Sequence, residues 1–393
     1  MIKLLTFSTL FPNAERPQHG IFVQTRLRHL VASGEAVSRV VAPVPWFPFR
    51  HPRFGNYAHF ANVPKHETQF GIDVTHPRYA LLPKIGMTAA PYLMAQAMKP
   101  VLGRIINDGY DFDVIDAHYF YPDGVAAAIL GRYFNKPVVI TARGSDITLI
   151  PQHQIPRKMI QWAANQAAGV ITVCEALKAE ITTLGVKADR IVALRNGVDL
   201  NLFRPIDREA TRKALGLQQF TLLSVGNLLP VKGHDLVIAA LPLLKEARLM
   251  IAGRGPELQR LQALATDLGV AARVTFLGAL PQAELRTYYG AADALVLASS
   301  REGWANVLLE SMACGTPVVA SNVWGTPEVV AAPDAGVLMQ DRTAAGVAAA
   351  VRALQASYPE RSATRRYAER FSWDQTTAGQ LNLFRNILNN GKI

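Results

Sequence analysis

Short runs of Val, Ile, Leu and Ala recur along the chain and alternate with longer stretches in which apolar positions return every three or four residues. The first pattern suits strands buried on both faces and the second suits amphipathic helices, so their alternation predicts βαβ units around parallel sheets. In the first half strands are expected near Lys3–Phe7, Ser38–Ala42, Val114–Ala117, Pro137–Thr141, Gly169–Val173 and Ile191–Leu194. Helices are expected near Ile21–Ser33, Gly124–Phe134, Pro156–Ala168 and Glu175–Leu184. The stretch Pro43–Gly86 is rich in Pro, His and aromatic residues without a clear period, and reads as loops and short elements.

Arg195-Asn196-Gly197-Val198-Asp199, then Phe203-Arg204-Pro205, is turn chemistry that closes the first unit. The pattern restarts with strands Phe220–Val225, Arg248–Ala252, Val274–Leu277, Ala294–Ala298, Pro317–Ala320 and Gly336–Met339. Helices are expected near His234–Leu244, Pro256–Leu268, Gln282–Gly290, Asn306–Ala313, Thr326–Val330 and Thr343–Gln355, with two more over Glu360–Phe371 and Trp373–Leu388. The 393 residues exceed what one core holds, since single cores stop growing at about 250–300 residues. Two α/β units in tandem, without a short fixed repeat, predict two Rossmann-like domains over 1–205 and 206–372, and a helix over 373–393 packing back on the first.

Composition narrows the class. Half the residues are hydrophobic and 18% are charged, an ordinary globular balance. Cys174 and Cys314 sit in apolar surroundings and read as buried thiols in a reducing compartment. The apolar N-terminal run is short, contains Thr and Ser and lacks a small-residue cleavage site, so a buried first strand explains it better than a signal peptide. No apolar stretch is long enough to span a bilayer. The expected location is the cytoplasm or the surface of a membrane. Residues 1–205 hold 22 Lys+Arg against 14 Asp+Glu, and residues 206–393 hold 19 against 16. The more basic first half fits an anionic partner, whether membrane surface, lipid-linked phosphate or nucleic acid, or simply a basic soluble protein.

The most informative motif runs from Ser299 to Pro317. A strand ends, a loop carries Glu302-Gly303-Trp304-Ala305, and a helix opens at Asn306-Val307 and holds Glu310. Unpaired amides at a helix start attract phosphate. Eight helical residues span roughly 12 Å at about 1.5 Å each, comparable to the separation of ribose and sugar across a diphosphate. Carboxylates at both ends can therefore grip hydroxyls at the two ends of a nucleotide sugar. In a second strand-loop-helix passage, Val225-Gly226-Asn227 to Lys232-Gly233-His234, Lys232 adds a cation beside a helix start. In the first half, Gly20 precedes a helix and would admit close phosphate approach. His118, followed by Tyr119-Phe120-Tyr121-Pro122-Asp123, stands at a strand tip, where ligands of open α/β sheets gather. Arg143 and Asp146 end another strand and read as an ion pair, a clamp on a ligand, or both.

The spaced glutamates resemble the E-x7-E signature of the family 4 retaining glycosyltransferases, a likeness that continues through Gly315-Thr316-Pro317-Val318-Val319 and Gly325-Thr326-Pro327-Glu328. The resemblance implies the GT-B fold, with two Rossmann-like domains facing across a cleft, and a nucleoside diphosphate sugar as donor. It implies that the turn at Gly253, with Leu277, lines the nucleotide-base pocket, and that Asn196 and Asp199 belong to an inter-domain motif, as hinge, turn or cleft residues. The chain departs from the family at three places. Asn227 stands where Arg is usual, Arg143 where His is usual, and Trp324 where a glycine is common.

On this reading Lys232 and the helix starts stabilise the departing diphosphate, Glu302 holds the transferred sugar, Glu310 the ribose, and His118 the sugar or acceptor hydroxyl. The acceptor proton passes to the leaving phosphate oxygen in a same-face displacement. No Asp-x-Asp clamp stands at a strand end, since Asp111-Phe112-Asp113 precedes a strand, so neither metal nor other cofactor is expected. Charge and the aromatic segment favour a glycan or lipid-linked acceptor of the cell envelope and contact with an anionic membrane surface at its inner face; nucleic acid is not expected as a partner. A nucleotide-sugar 2-epimerase of the same fold, and a non-catalytic sugar-nucleotide-binding protein, are the competing classes.

Overall fold

The β-branched runs become strands because each is apolar on both faces and must be covered on both. A computed structural model describes residues 1–81 and 86–390. It divides into two compact units, one comprising Met1–Arg195 and the C-terminal helix from Asp374, the other Asn196–Trp373.

The first unit holds β1 (Ile2–Phe7), β2 (Ala36–Val41), β3 (Val44–Pro45), β4 (His66–Gln69), β5 (Ile72–Thr75), β6 (Arg78–Tyr79), β7 (Val114–His118), β8 (Val138–Ala142), β9 (Gly169–Thr172) and β10 (Ile191–Ala193). Eight form one sheet in the order β10-β9-β8-β7-β1-β2-β5-β4, parallel except for the edge pair β4–β5. A separate ribbon pairs β3 with β6. The second unit is a six-stranded parallel sheet of β11 (Phe220–Val225), β12 (Ala247–Ala252), β13 (Val274–Gly278), β14 (Ala294–Leu297), β15 (Val318–Ser321) and β16 (Gly336–Met339), in the order β13-β12-β11-β14-β15-β16. Strand order reverses between β1 and β7 in the first sheet and between β11 and β14 in the second.

Two differences from expectation have physical causes. A 22-residue helix, Gly86–Asn107, is not announced by the sequence pattern because Pro91 and Pro100 lie inside it. Its buried residues, Ala90, Met94, Met98, Leu102 and Ile105, nevertheless recur at helical spacing. The stretch before it contains β3 to β6 and a helix over Asn56–Asn62; residues 82–85 lie outside the described residues. The second difference is the boundary. Residues 196–205 belong with the second unit, not the first. The Val198 amide donates to the Phe371 carbonyl, Phe203 packs its ring on Tyr289, and Arg365 donates to the Phe203 and Leu200 carbonyls. A turn cluster announces that the chain changes direction, but those bonds decide which core it joins.

The C-terminal helix, Trp373–Asn390, inserts Leu381 and Phe384 among Leu4, Val114, Val139 and Ile171 of the first unit. Gly169 and Gly379 keep it close, since a Cβ would meet Leu383 at 3.2 Å and Leu194 at 2.4 Å respectively. Phe384 is fully buried there. Phe384→Ala should cost about 3–5 kcal/mol and lower the melting step of the first unit while sparing that of the second. Calorimetry reads this directly, and an unmoved first step would show that the helix adds no stability.

Candidate functional site

In a parallel sheet whose strand order reverses, the loops leaving the two strands at the reversal diverge and open a crevice at their carboxyl ends. In the second unit those loops follow β11 and β14. The first brings Lys232 and the second Glu302, and Lys232 Nζ lies 2.7 Å from Glu302 Oε1. The buried Ser299 hydroxyl donates to the same oxygen at 2.6 Å. Both bonds fall on one carboxylate oxygen, which leaves the lone pairs of the other for a ligand. The loop holding Lys232 rests on His234, whose Nδ1 lies 2.9 Å from Ser224 Oγ. Burial pushes that imidazole down to about 4, so it is neutral at ordinary pH.

The loop ends are pressed backbone to backbone. Gly226 donates to the Ala252 carbonyl at 3.0 Å and Gly253 to the Gly278 carbonyl at 2.7 Å. Gly253 has φ +157, and a Cβ there would sit 1.8 Å from the Gly226 carbonyl oxygen. Leu277, half-buried, stands next to last in β13, and Asn227 is exposed on the β11 loop.

Glu302 precedes the Asn306–Ala313 helix, which has no side-chain N-cap bond, so its leading amides have no such cap. Trp304 is buried; its indole donates to the Asn196 carbonyl at 3.1 Å and its ring faces Phe371. The Asn196 amide donates to Asn306 Oδ1 at 3.3 Å. Asn196 therefore braces the loop that carries Gly303 and Ala305 and the helix start that carries Val307. Trp324 has φ +47, a region that favours glycine, and the next amide, of Gly325, donates to the Glu302 carbonyl at 3.3 Å. Holding a bulky residue there costs on the order of 1–3 kcal/mol, which explains why a glycine suits this position.

Glu310 differs from Glu302. It is buried, accepting from Tyr289 at 2.8 Å and from Gln282 at 3.2 Å, both on the Gln282–Ala291 helix. The structure thus brings Lys232 and Glu302 together and sets Glu310 against Tyr289. The sequence alone assigns no role to Ser299, Tyr289 or Gln282. Ser299 was signalled by a polar residue at a strand end, whereas nothing local pointed to the other two.

In the first unit His118 ends β7 and is buried. Its Nδ1 lies 2.7 Å from an Arg143 guanidinium nitrogen and its Nε2 lies 3.2 Å from Asp116 Oδ2. A guanidinium only donates, so Nδ1 accepts, and the ring proton sits on Nε2 facing Asp116. Burial holds the imidazole below its ordinary range, Asp116 opposing this and Arg143 reinforcing it. In this arrangement His118 has neither lone pair nor proton left for a ligand; the half-buried Arg143, whose guanidinium also lies 5.3 Å from the Phe22 ring, is the group it supports. Asp146 accepts the amides of Phe120 at 2.8 Å, Gly144 at 2.7 Å and Arg143 at 3.1 Å. Its carboxyl thus fastens the β7 and β8 loops to each other. Asp123, another residue the sequence reading did not single out, accepts from Thr9 and joins the β7 loop to the β1 loop. Burial pushes its carboxyl up to about 7. Gly20, at φ +70, has the Leu10 carbonyl oxygen 2.2 Å from where a Cβ would stand, so the chain's own packing already requires glycine there.

Burial pushes the Glu310 carboxyl up to about 6, offset in part by Tyr289 and Gln282. A carboxyl with a folded-state pKa above its unfolded value binds its proton more tightly when folded. The charged form therefore lowers stability progressively between about pH 4 and pH 6, and fully above that range. Glu310→Gln should stabilise the fold by about 2 kcal/mol at pH 8 and by nothing at pH 4. Denaturant unfolding at both pH values tests this, and an equal change at both would remove the burial cost from the account.

Comparison with known proteins agrees with this architecture. The model of "Glycosyl transferases group 1" matches residues 207–371, and that of "Glycosyltransferase Family 4" matches residues 83–202. The D-inositol 3-phosphate glycosyltransferase 1 of Catenulispora acidiphila is 32% identical over 312 residues, 72% of this chain and 74% of the relative. Among solved structures, sucrose-phosphate synthase from Thermosynechococcus elongatus superposes with a TM-score of 0.83 at 21% identity, covering 99% of this chain and 100% of that one. HepE of Anabaena in complex with UDP gives 0.73 at 19% identity, over 98% and 100% of the two chains. The chain is a glycosyltransferase of the GT-B fold and belongs to the family 4, or group 1, glycosyltransferases.

Proposed function

We propose that this glycosyltransferase binds a nucleoside diphosphate sugar in its second unit and transfers the sugar, with retention, to a hydroxyl of a lipid-linked or cell-envelope glycan. The observation that carries the donor site is the Lys232–Glu302 contact of 2.7 Å across the reversal of strand order, beside a helix without a side-chain cap. The solved structure of HepE with UDP supports a nucleotide in this fold.

The roles follow from charge. As the anomeric carbon–oxygen bond breaks, negative charge grows on the diphosphate; the Lys232 ammonium and the amides opening the Asn306–Ala313 helix stabilise it where it develops. Glu302, already fixed by Ser299, offers its second oxygen to hydroxyls of the sugar. Glu310, stiffened by Tyr289, takes the ribose hydroxyls. The acceptor oxygen bonds the anomeric carbon on the face the phosphate leaves, and the acceptor proton passes to the departing phosphate oxygen. Lys232 supplies the cation that a metal would otherwise provide, and the reaction proceeds without one. In the first unit Arg143, held by His118, is the acceptor-side cation. The basic first half of the chain supports an acceptor at the inner face of an anionic membrane, with the enzyme cytoplasmic. A second reading, a small phosphorylated polyol as acceptor, is favoured by the relative named for D-inositol 3-phosphate.

Thermal-shift screening of UDP- and GDP-sugars should identify the donor, a ligand at 100 times its Kd adding about 2.7 kcal/mol. With that donor, Lys232→Ala and Glu302→Ala should each lower kcat about 100- to 1,000-fold, and chelator should leave turnover unchanged. Wild-type turnover by the double variant would overturn the site. Product NMR reports the anomeric configuration, and parallel assays with inositol 3-phosphate and with lipid-linked glycan separate the two acceptor readings.

A further inference from the structure

Residues 43–66 contain no Asp or Glu, but hold Arg50, Arg53, Lys65 and three histidines. Folding gathers the aromatic rings of this stretch. Phe47 lies 5.5 Å from Phe54 and 5.3 Å from Tyr57, Phe49 stacks on Phe54 at 5.1 Å, and Tyr57 meets Phe60 at 6.1 Å. This is not an interior cluster. Trp46 is 59% exposed, and Phe49 and Tyr57 are 54% exposed. Trp46 follows the β3–β6 ribbon, its amide donating to the Tyr79 carbonyl at 2.7 Å, so the patch has a rigid base. Arg50, Arg53 and Lys65 are exposed around it, and the Arg53 guanidinium lies over the Phe54 ring at 4.7 Å.

We propose that the cluster around Trp46, Phe49 and Tyr57, with Arg50 and Arg53, is a docking surface for the headgroup layer of an anionic phospholipid bilayer. Contiguous exposed aromatic surface marks an interaction site. Trp and Tyr prefer the boundary between hydrocarbon and water, where an apolar ring and a polar edge are both satisfied. Arg50 and Arg53 lie in a stretch, 43–66, without Asp or Glu, the Glu15 carboxylate at its edge being engaged by His59 at 3.2 Å; these cations complement lipid phosphate, each strengthening attachment about fivefold. No helix among the described residues is long and apolar enough to cross a membrane. The proposal gives a place on the chain to the membrane contact of the functional reading and rests on it, but it concerns residues remote in sequence from the donor loops.

The test is co-sedimentation of the full chain with vesicles of phosphatidylglycerol and phosphatidylcholine, against phosphatidylcholine alone. The wild type should bind the anionic vesicles and release at high salt. R50Q/R53Q should bind about 25-fold more weakly at low salt, and W46A/F49A at least tenfold more weakly. Because these side chains are exposed, both variants should keep the wild-type melting temperature and the wild-type thermal shift with the donor nucleotide. W46F should lose the blue shift of tryptophan emission that vesicles induce. The proposal is overturned if the wild type ignores anionic vesicles, or if both double variants bind as it does. It is equally overturned if the wild type dimerises in sedimentation velocity through Trp46 and Phe49 without binding vesicles, which would make the patch a self-association face. Loss of vesicle binding with donor response intact leaves the donor reading standing, and the reverse result removes that reading alone.

Discussion

Wherever a parallel sheet reverses its strand order, two neighbouring strands send their following loops to opposite faces, and the space between them cannot be filled by either. Both sheets of this protein contain such a reversal, between β1 and β7 and between β11 and β14. The second is closed by an ion pair, Lys232 with Glu302, rather than by apolar packing. The first is closed by hydrogen bonds to Asp123 and to the His118 carbonyl. Both reversals thus place polar side chains and loop amides at the carboxyl ends of neighbouring strands, where ligands of open α/β sheets gather.

The second unit spends stability to hold its acidic groups. Glu302 keeps partial contact with water and is balanced by a cation. Glu310 is buried with only hydroxyl and amide donors, and its raised pKa records the cost of that position. Two glutamates of one helical motif thus meet different electrostatic environments. A third cost lies in Trp324, held at positive φ beside the Glu302 loop. Strain of this kind persists where surrounding structure over-determines the backbone, which is common near functional loops.

In the first unit the structure shows what Arg143 does to the histidine at the strand tip. A guanidinium on Nδ1 compels the His118 proton onto Nε2 and turns the imidazole into a link between Asp116 and Arg143. Both ring nitrogens of the histidine at the strand tip are then engaged, one by Arg143 and one by Asp116. Asp146 contributes by tying backbone amides, which fixes the loop from which Arg143 projects.

How much was legible in the sequence follows from how local each cause is. The buried parallel strands could be read because a strand covered on both faces is apolar throughout, and Phe220–Val225 and Gly336–Met339 fall where the pattern put them. The E-x7-E spacing likewise announced a loop and helix start at Asn306. The Gly86–Asn107 helix was hidden because its prolines break the local signal while distant packing restores it. Tyr289, the partner of Glu310, lies 21 residues away on another helix, and no pattern near either residue joins them. The identity and order of the chemical groups were therefore determined along the chain, by short-range periodicity and spacing. Which of those groups became buried, which tautomer His118 adopted, and to which unit residues 196–205 belong were decided only by tertiary structure, because burial and pairing depend on contacts between segments far apart in sequence.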